Sequence, residues 1–223
     1  LLLRTTRRQS LTEFGLQLLE HARQVVAEVE AVSALSERRQ ATPSGRLRVS
    51  MPSDFANLLL ADTLAAFVAL YPAIELELDL SPRRVDLLGE GFDVVLRMGN
   101  LPDDASLAAR RLADFSFGLY AAPSYLAEHG EPTHPDELRA HAAIRMLRAN
   151  GEVAAWTLTK DDEHWQGKPP GRVNANAPEL LIKMACAGAG IAAVPDHFAA
   201  ANVRLGALRR VLPRWSLPSH AAW

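Results

Sequence analysis

The 223 residues are 48% hydrophobic and 22% charged, with a formal net charge of −2, a balance that gives a globular chain with material for a sizeable core and excludes a low-complexity polymer. That net charge supplies no overall electrostatic drive towards nucleic acid, but its distribution is uneven, because Arg4, Arg7 and Arg8 open the chain with no acid among them. The single cysteine, Cys186, excludes an internal disulfide, fits a reducing compartment and, within Met184-Ala-Cys-Ala-Gly, reads as a small buried thiol.

Residues 1 to 11 read as a short apolar strand followed by a basic turn, Arg4-Thr-Thr-Arg-Arg-Gln-Ser10. Along the stretch from Thr12 to Gln40 and just before it, the apolar positions Leu11, Phe14, Leu18, Ala22, Val25, Val29 and Val32 recur three or four apart, the spacing of a coiled-coil seam. Thr12 caps the start, Gly15 weakens the first turn, and Thr42-Pro-Ser-Gly45 stops the run. A helix of about 29 residues would be about 43 Å long, more than a small domain needs for its own core. Because the other face carries Glu20, Arg23, Glu28, Glu30, Glu37, Arg38 and Arg39, the seam is expected to close on a second copy through Leu18, Ala22, Val25, Val29 and Val32. The competing reading is a helix lying along its own domain.

Beyond Pro43 the texture changes to alternating strands and helices. Leu47, Val49 and Met51 alternate as a strand, an apolar-faced helix follows from Phe55 to Leu70, and Ile74, Leu76, Leu78 and Leu80 alternate against Glu75, Glu77 and Asp79. A short helix around Val85 to Gly89 leads to a strand at Phe92 to Arg97. This order argues for a parallel sheet covered by helices. The pattern then restarts, with strands at Phe115–Ala122, Ala143–Leu147, Arg172–Ala175, Ile191–Val194 and Leu208–Leu212. Helices are expected at Ser124–His129, Pro135–Ala140 and Pro178–Ala187, and Arg148 to Pro170 reads as irregular, anchored by Trp156 and Trp165. Gly188 and Gly190 read as a helix end and a tight turn. No apolar run reads as long enough to cross a bilayer and no secretory signal is visible. The abrupt ends, Leu1-Leu-Leu and Leu217-Pro-Ser-His-Ala-Ala-Trp223, read as cut from a longer chain.

Several stretches, in order along nearly the whole chain, resemble LysR-type transcriptional regulators of the CrgA-like subgroup. They are Arg4-Thr-Thr-Arg-Arg-Gln-Ser-Leu-Thr-Glu-Phe-Gly15, Gly45-Arg-Leu-Arg-Val-Ser50, Tyr71-Pro72, Val85 to Gly99, Ala108-Ala-Arg-Arg-Leu112, Ala122-Pro-Ser-Tyr-Leu126 and Ala187-Gly-Ala-Gly-Ile-Ala-Ala-Val-Pro195. The resemblance implies an α/β fold: a two-lobed effector domain like a periplasmic binding protein, preceded by a long linker helix and the remnant of a winged helix-turn-helix. The implied division is 1–11 for the wing, 12–42 for the dimerising linker helix and 46–223 for the effector domain. Its first lobe takes about 46–118 and 203–223, and its second about 119–202. The helix-turn-helix itself and the final strand and helix are absent from the stretch, so it reads as a piece of a longer regulator.

In parallel α/β sheets, ligands sit at the carboxyl ends of the strands. That geometry selects Ser53, which also suits a helix N-cap, with Phe55 beside it, then Ser81 with Arg83, and Arg97. From the second block it selects Pro123 with Ser124, Met146 and Asn176, and by resemblance these positions line the family's cleft. Arg97 is able to clamp a carboxylate, or to pair instead with Asp93 or Asp103. Arg4, Thr6, Arg7 and Arg8 would meet phosphates or a minor groove. The expected partners are operator DNA, an anionic or aromatic small-molecule effector, and further copies as a homodimer or homotetramer, with no membrane and a cytoplasmic location. No cofactor is expected. The seven histidines lack metal-ligand spacing, no Gly-x-Ser-x-Gly occurs, and Gly188-Ala-Gly190 lacks the rest of a dinucleotide fingerprint. The rivals are a transporter's solute-binding protein, which shares the lobes but has no use for the seam, and an enzyme on the same scaffold.

Overall fold

The computed structural model describes residues 1–4, 9–37, 43–83, 85–87, 89–99, 108–148 and 150–223. Strands β1 (Leu2–Arg4) and β2 (Gln9–Leu11) pair antiparallel, Leu2 opposite Leu11. Helix α1 (Glu13–Glu37) begins where Thr12 Oγ1 accepts the Gly15 amide at 3.0 Å, the expected cap. Gly15 has a packing reason beyond its helix cost: a Cβ there would lie 2.2 Å from the Leu1 carbonyl oxygen. Among the described residues the apolar seam of α1 is left uncovered, since Phe14, Leu18, Val25 and Val29 are exposed by 67%, 45%, 62% and 60%. Ala22 is also exposed, while the side chain of Val32 lies outside what the structure describes.

The first lobe is a three-stranded parallel sheet, β4-β3-β5, of β3 (Gly45–Ser50), β4 (Ile74–Asp79) and β5 (Val94–Val95). The pairing runs from Gly45 opposite Ile74 to Ser50 opposite Asp79. Between β3 and β4 the chain forms α2 (Ser53–Phe55), a π-helical turn (Ala56–Leu60) and α3 (Ala61–Leu70). This 18-residue run has mean hydropathy 1.4 with only 17% of it buried. By length and composition it is therefore apolar enough to span a bilayer, which corrects the reading that no such run exists. Here it is the crossover between two paired parallel strands, with Asp54, Phe55 and Ala56 buried, while Leu58, Val68 and Leu70 remain exposed. The short helix expected at Val85–Gly89 is instead a turn among the described residues.

The second lobe is organised on β6 (Ala113–Ala121), followed by α4 (Pro123–His129), a 3-10 helix (Pro135–Ala140) and β7 (Ala143–Met146). Residues 148–170, expected to be irregular, contain the antiparallel hairpin of β8 (Trp156–Lys160) and β9 (Glu163–Gly167). Then come β10 (Val173–Ala175), α5 (Pro178–Cys186), β11 (Ile191–Pro195), α6 (Asp196–Arg204), β12 (Arg209–Val211) and β13 (Leu217–Ala222). The sheet order is β10-β7-β11-β6-β12, with β13 also on β6. Residues 203–223, expected in the first lobe, divide by pairing. Strand β12 joins the second half of β6 at Leu119–Ala121, and only β13 reaches the first half and continues to the first lobe through Met98 opposite Ala222. Hydrophobicity drives this division, because β13 buries Ala222 beneath the first lobe whereas Val211 fills the second core around Leu119, Leu138, Trp156 and Leu158.

The turn into β11 is set by Gly190, whose φ of +144° and whose absent Cβ, 2.2 Å from the Ala142 carbonyl oxygen, leave no room for another residue. Gly190→Ala is expected to cost about 2 kcal/mol or more and to lower the thermal midpoint by about 4–8 °C, measured by differential scanning calorimetry. An unchanged midpoint would mean that the turn relaxes freely.

Candidate functional site

The two lobes meet where the carboxyl ends of their parallel strands come together. Asp54, 5% exposed on α2 after β3, accepts the Glu179 backbone N–H in the first turn of α5, after β10, at 2.9 Å. Asn57 Nδ2 donates to Glu179 Oε2 at 3.1 Å beside it. Burial pushes the Asp54 carboxyl above its ordinary pKa, and the Glu179 amide pulls against that shift. Around this joint one apolar cluster is continuous from Val49, Met51 and Phe55 in the first lobe to Ile144, Leu181 and Phe198 in the second.

At the carboxyl end of the first sheet stands Arg97. Its Nη1 donates to the Leu96 carbonyl at 2.7 Å, and its Nη2 to the Ser50 hydroxyl at 2.7 Å and the Arg83 carbonyl at 2.8 Å. Those bonds use three of the guanidinium's roughly five donors, and the buried Nε has no partner. No carboxylate among the described residues pairs with it. Asp93, one alternative, accepts the Arg48 amide instead, and Asp103, the other, lies outside the described residues. Burial lowers the Arg97 pKa, nearby Asp79 raises it and nearby Arg83 lowers it. The group remains a cation with donors to spare, held by neutral oxygens, which suits an incoming anion.

The other expected positions divide. Ser53 is half-buried at the start of α2, but Pro52 occupies the N-cap and no side chain caps the helix, so the capping role expected of Ser53 is not adopted. Phe55 is a correction: at 4% exposure it packs edge-on against Phe115 and Phe198, with centroids 5.5 and 5.9 Å away, and is core rather than lining. Arg83 is committed to Glu90 through two bonds of 2.8 and 2.5 Å, with Asp79 at 3.6 Å. This bond to Arg83 holds the Glu90 carboxyl down at about 2. Ser81 Oγ accepts the Arg83 amide at 3.3 Å. From the second lobe, Pro123 is exposed at the first position of α4 and Asn176 is exposed between β10 and α5. Met146 is half-buried against the shared apolar cluster.

Sequence reading missed Ser50, fully buried with its hydroxyl on Arg97, and the cross-lobe cap by Asp54. Pro52-Ser-Asp54 opening a helix was the available signal for Asp54, although its recipient lies in another helix. Two pockets, of about 230 and 250 Å3, are not lined by Arg97, although Glu179 of the Asp54 joint borders the first. The first is floored by Ile182, Cys186 and Phe198 and the second by Leu212 and Trp215. Burial pushes the Cys186 thiol pKa up, away from the reactive thiolate. Among the described residues no group of His, Cys, Asp and Glu is placed to hold a metal.

Of the residues expected to form a wing, Thr6, Arg7 and Arg8 lie outside the described residues, as does the Arg4 side chain. The backbone of Arg4 pairs with Gln9, so the basic tract joins two paired strands.

The LysR substrate binding domain model matches residues 40–223. An HTH-type transcriptional regulator of Xanthomonas campestris pv. campestris is 36% identical over 222 residues, covering 98% of this chain and 64% of that protein. The chain thus spans a little under two thirds of that relative's length. Among solved structures, full-length AphB, the Vibrio cholerae virulence activator, superposes with a TM-score of 0.74 at 28% identity, covering 100% of this chain and 75% of that one. CrgA from Neisseria meningitidis gives 0.72 at 30%, covering 100% and 76%. These likenesses give the two-lobed periplasmic-binding-protein-like fold to residues whose pairing already divides them into two sheets, and the chain belongs to the LysR family of transcriptional regulators.

Proposed function

We propose that this chain is the linker and sensing portion of a DNA-binding regulator that acts in the cytoplasm and is not an enzyme. In this reading residues 1–11 are the wing, 12–42 the dimerising helix and 46–223 the effector domain. The relatives are named as transcriptional regulators rather than transport proteins, and a solute-binding role would leave the seam of α1 without purpose. A small molecule bound between the lobes would shift the placement of the DNA readers only by its difference in affinity for the two arrangements.

The observation that carries the effector reading is Arg97, a half-buried guanidinium with unused donors and no carboxylate partner among the described residues. In this reading the half-buried Ser53, Ser81 and Met146 and the exposed Pro123 and Asn176 would line the same cleft and receive a small anion with an apolar or aromatic body. Phe55 and Arg83 support this set from behind rather than lining it. Operator contact is assigned to Arg4, Thr6, Arg7 and Arg8, whose charges would add salt-dependent affinity and orientation more than base readout.

Association of copies is assigned to Leu18, Ala22, Val25, Val29 and Val32. An exposed apolar stripe on a helix of 25 residues gains about 1.5 kcal/mol or more for each valine or leucine it buries against a twin. The double substitution Val25→Asp with Val29→Asp is expected to weaken self-association by about 100-fold or more, read by sedimentation equilibrium, with the effector lobes still folded. A wild-type chain that sediments as a monomer at micromolar concentration would remove this assignment.

For the cleft, a thermal-shift panel of benzoate, salicylate and short aliphatic dicarboxylates is expected to contain a compound that raises the midpoint by about 5–10 °C at 100 times its Kd. Arg97→Gln is expected to abolish that gain. A compound that stabilises both proteins equally, or a panel with no stabiliser, would contradict the assignment of Arg97.

A further inference from the structure

Arg97 is the first member of a connected set that ends on the linker helix. Its Nη2 donates to the Arg83 carbonyl at 2.8 Å. The Arg83 guanidinium grips both carboxylate oxygens of Glu90, and Glu90 Oε1 also accepts the Asp86 amide at 3.1 Å. Glu90 thereby closes the turn from Asp86, in which the Glu90 amide donates to the Asp86 carbonyl and the Gly89 amide to Asp86 Oδ1. The outward carbonyls of this turn are taken by arginines. Arg48 Nη1 on β3 donates to the carbonyls of Glu90 at 2.7 Å and Gly91 at 2.9 Å. Arg23 Nη1 on α1 donates to the Gly89 carbonyl at 3.0 Å.

We infer that the turn at Asp86–Gly91 is the joint through which the Arg97 site and the linker helix sense one another, with Arg23, Arg83 and Glu90 as positioning residues. The inference rests on the reading of Arg97 as the effector contact. Arg97 Nη2 serves both the buried Ser50 hydroxyl and the Arg83 carbonyl, so a ligand that takes the unused donors on Nε and Nη1 of the same planar guanidinium turns that plane and disturbs the bond to Arg83. A shift of Arg83 moves Glu90, to which it is doubly bonded, and Glu90 adjoins the carbonyl that Arg23 holds. Arg48 anchors the far side of the turn to β3, so displacement is concentrated at Gly89. That position admits no larger residue without disturbing Asp86, because a Cβ there would fall 2.3 Å from Asp86 Oδ2. Arg23, read from sequence as part of a solvated face, is thus a strut between α1 and the first lobe. Because coupling is reciprocal, removing Arg23 must also be felt at the turn, and a contiguous path becomes an argument only when both ends are shown to respond.

Hydrogen–deuterium exchange of this chain tests the coupling with Arg97→Gln, Arg83→Gln, Arg23→Gln and the Arg23→Gln/Arg97→Gln pair. Arg97→Gln and Arg83→Gln are each expected to speed exchange of the Gly89 and Glu90 amides, and of the α1 amides flanking Arg23, by about fivefold. In the Arg23→Gln background the Arg97 substitution is expected to speed the turn and leave α1 unchanged. Unaltered α1 exchange in both single variants, or the same α1 change with and without Arg23, would overturn the inference. Should Arg97→Gln unfold the lobe, Arg83→Gln and its pair with Arg23→Gln carry the test, since Arg83 is 52% exposed. The two readings fail separately: a carboxylate panel without a stabiliser removes the effector and leaves the exchange result standing, whereas unaltered α1 exchange removes the coupling and leaves ligand binding intact.

Discussion

Strand β6 is the constraint on which the two-lobed arrangement depends. Its first half pairs with β13 and its second with β11 and β12, all antiparallel, so one continuous backbone ladder passes from the second lobe towards the first. The last described residues complete that passage: Arg97 and Trp223 exchange backbone bonds of 3.0 and 2.9 Å, and Trp223 Nε1 donates to the Gly99 carbonyl at 2.8 Å. Arg97 therefore presents its guanidinium from a backbone fixed on both sides, which would limit the ordering entropy that a ligand proposed there has to overcome.

The second connection is polar and local. A buried Asp54 on the first lobe satisfies an amide at the start of α5 on the second, where a carboxylate also meets the positive end of the helix dipole. Beside it the aromatic contacts of Phe55 with Phe115 and Phe198 exclude water. The lobes are thus joined by a ladder at one place and by a capped helix with an aromatic cluster at another.

What the sequence made legible was what its local pattern determines. Ile74 to Leu80 alternates cleanly and becomes β4, Thr12 caps α1, and Gly188 and Gly190 end one helix and turn the chain into β11. The hairpin β8–β9 was readable in principle, since Trp156 and Leu158 alternate with Thr157 and Thr159 ahead of Asp161, whose φ of +51° makes the turn. It was masked by reading the tryptophans as isolated anchors. Helix α6 follows directly from Pro195 in an alanine-rich run without a sharp stripe, and β13, Leu217-Pro-Ser-His-Ala-Ala222, owes its strand state to β6 rather than to its own composition.

The site was legible by position and not by partner. Strand ends pointed to Ser53, Ser81, Arg83 and Arg97, but nothing near Phe55 announces Phe115 and Phe198. The Arg83–Glu90 clamp and the arginines Arg48 and Arg23 on the carbonyls of residues 89–91 come from distant strands and helices, so no local pattern announces them. The Arg97 guanidinium is the proposed seat of the ligand. The most direct measurement is the 15N–1H signal of its Nε, assigned by comparison with Arg97→Lys, during titration with a stabilising carboxylate. A saturable shift and slowed solvent exchange of that signal are expected; saturation of binding with the Arg97 Nε signal unmoved would contradict ligand contact at Arg97.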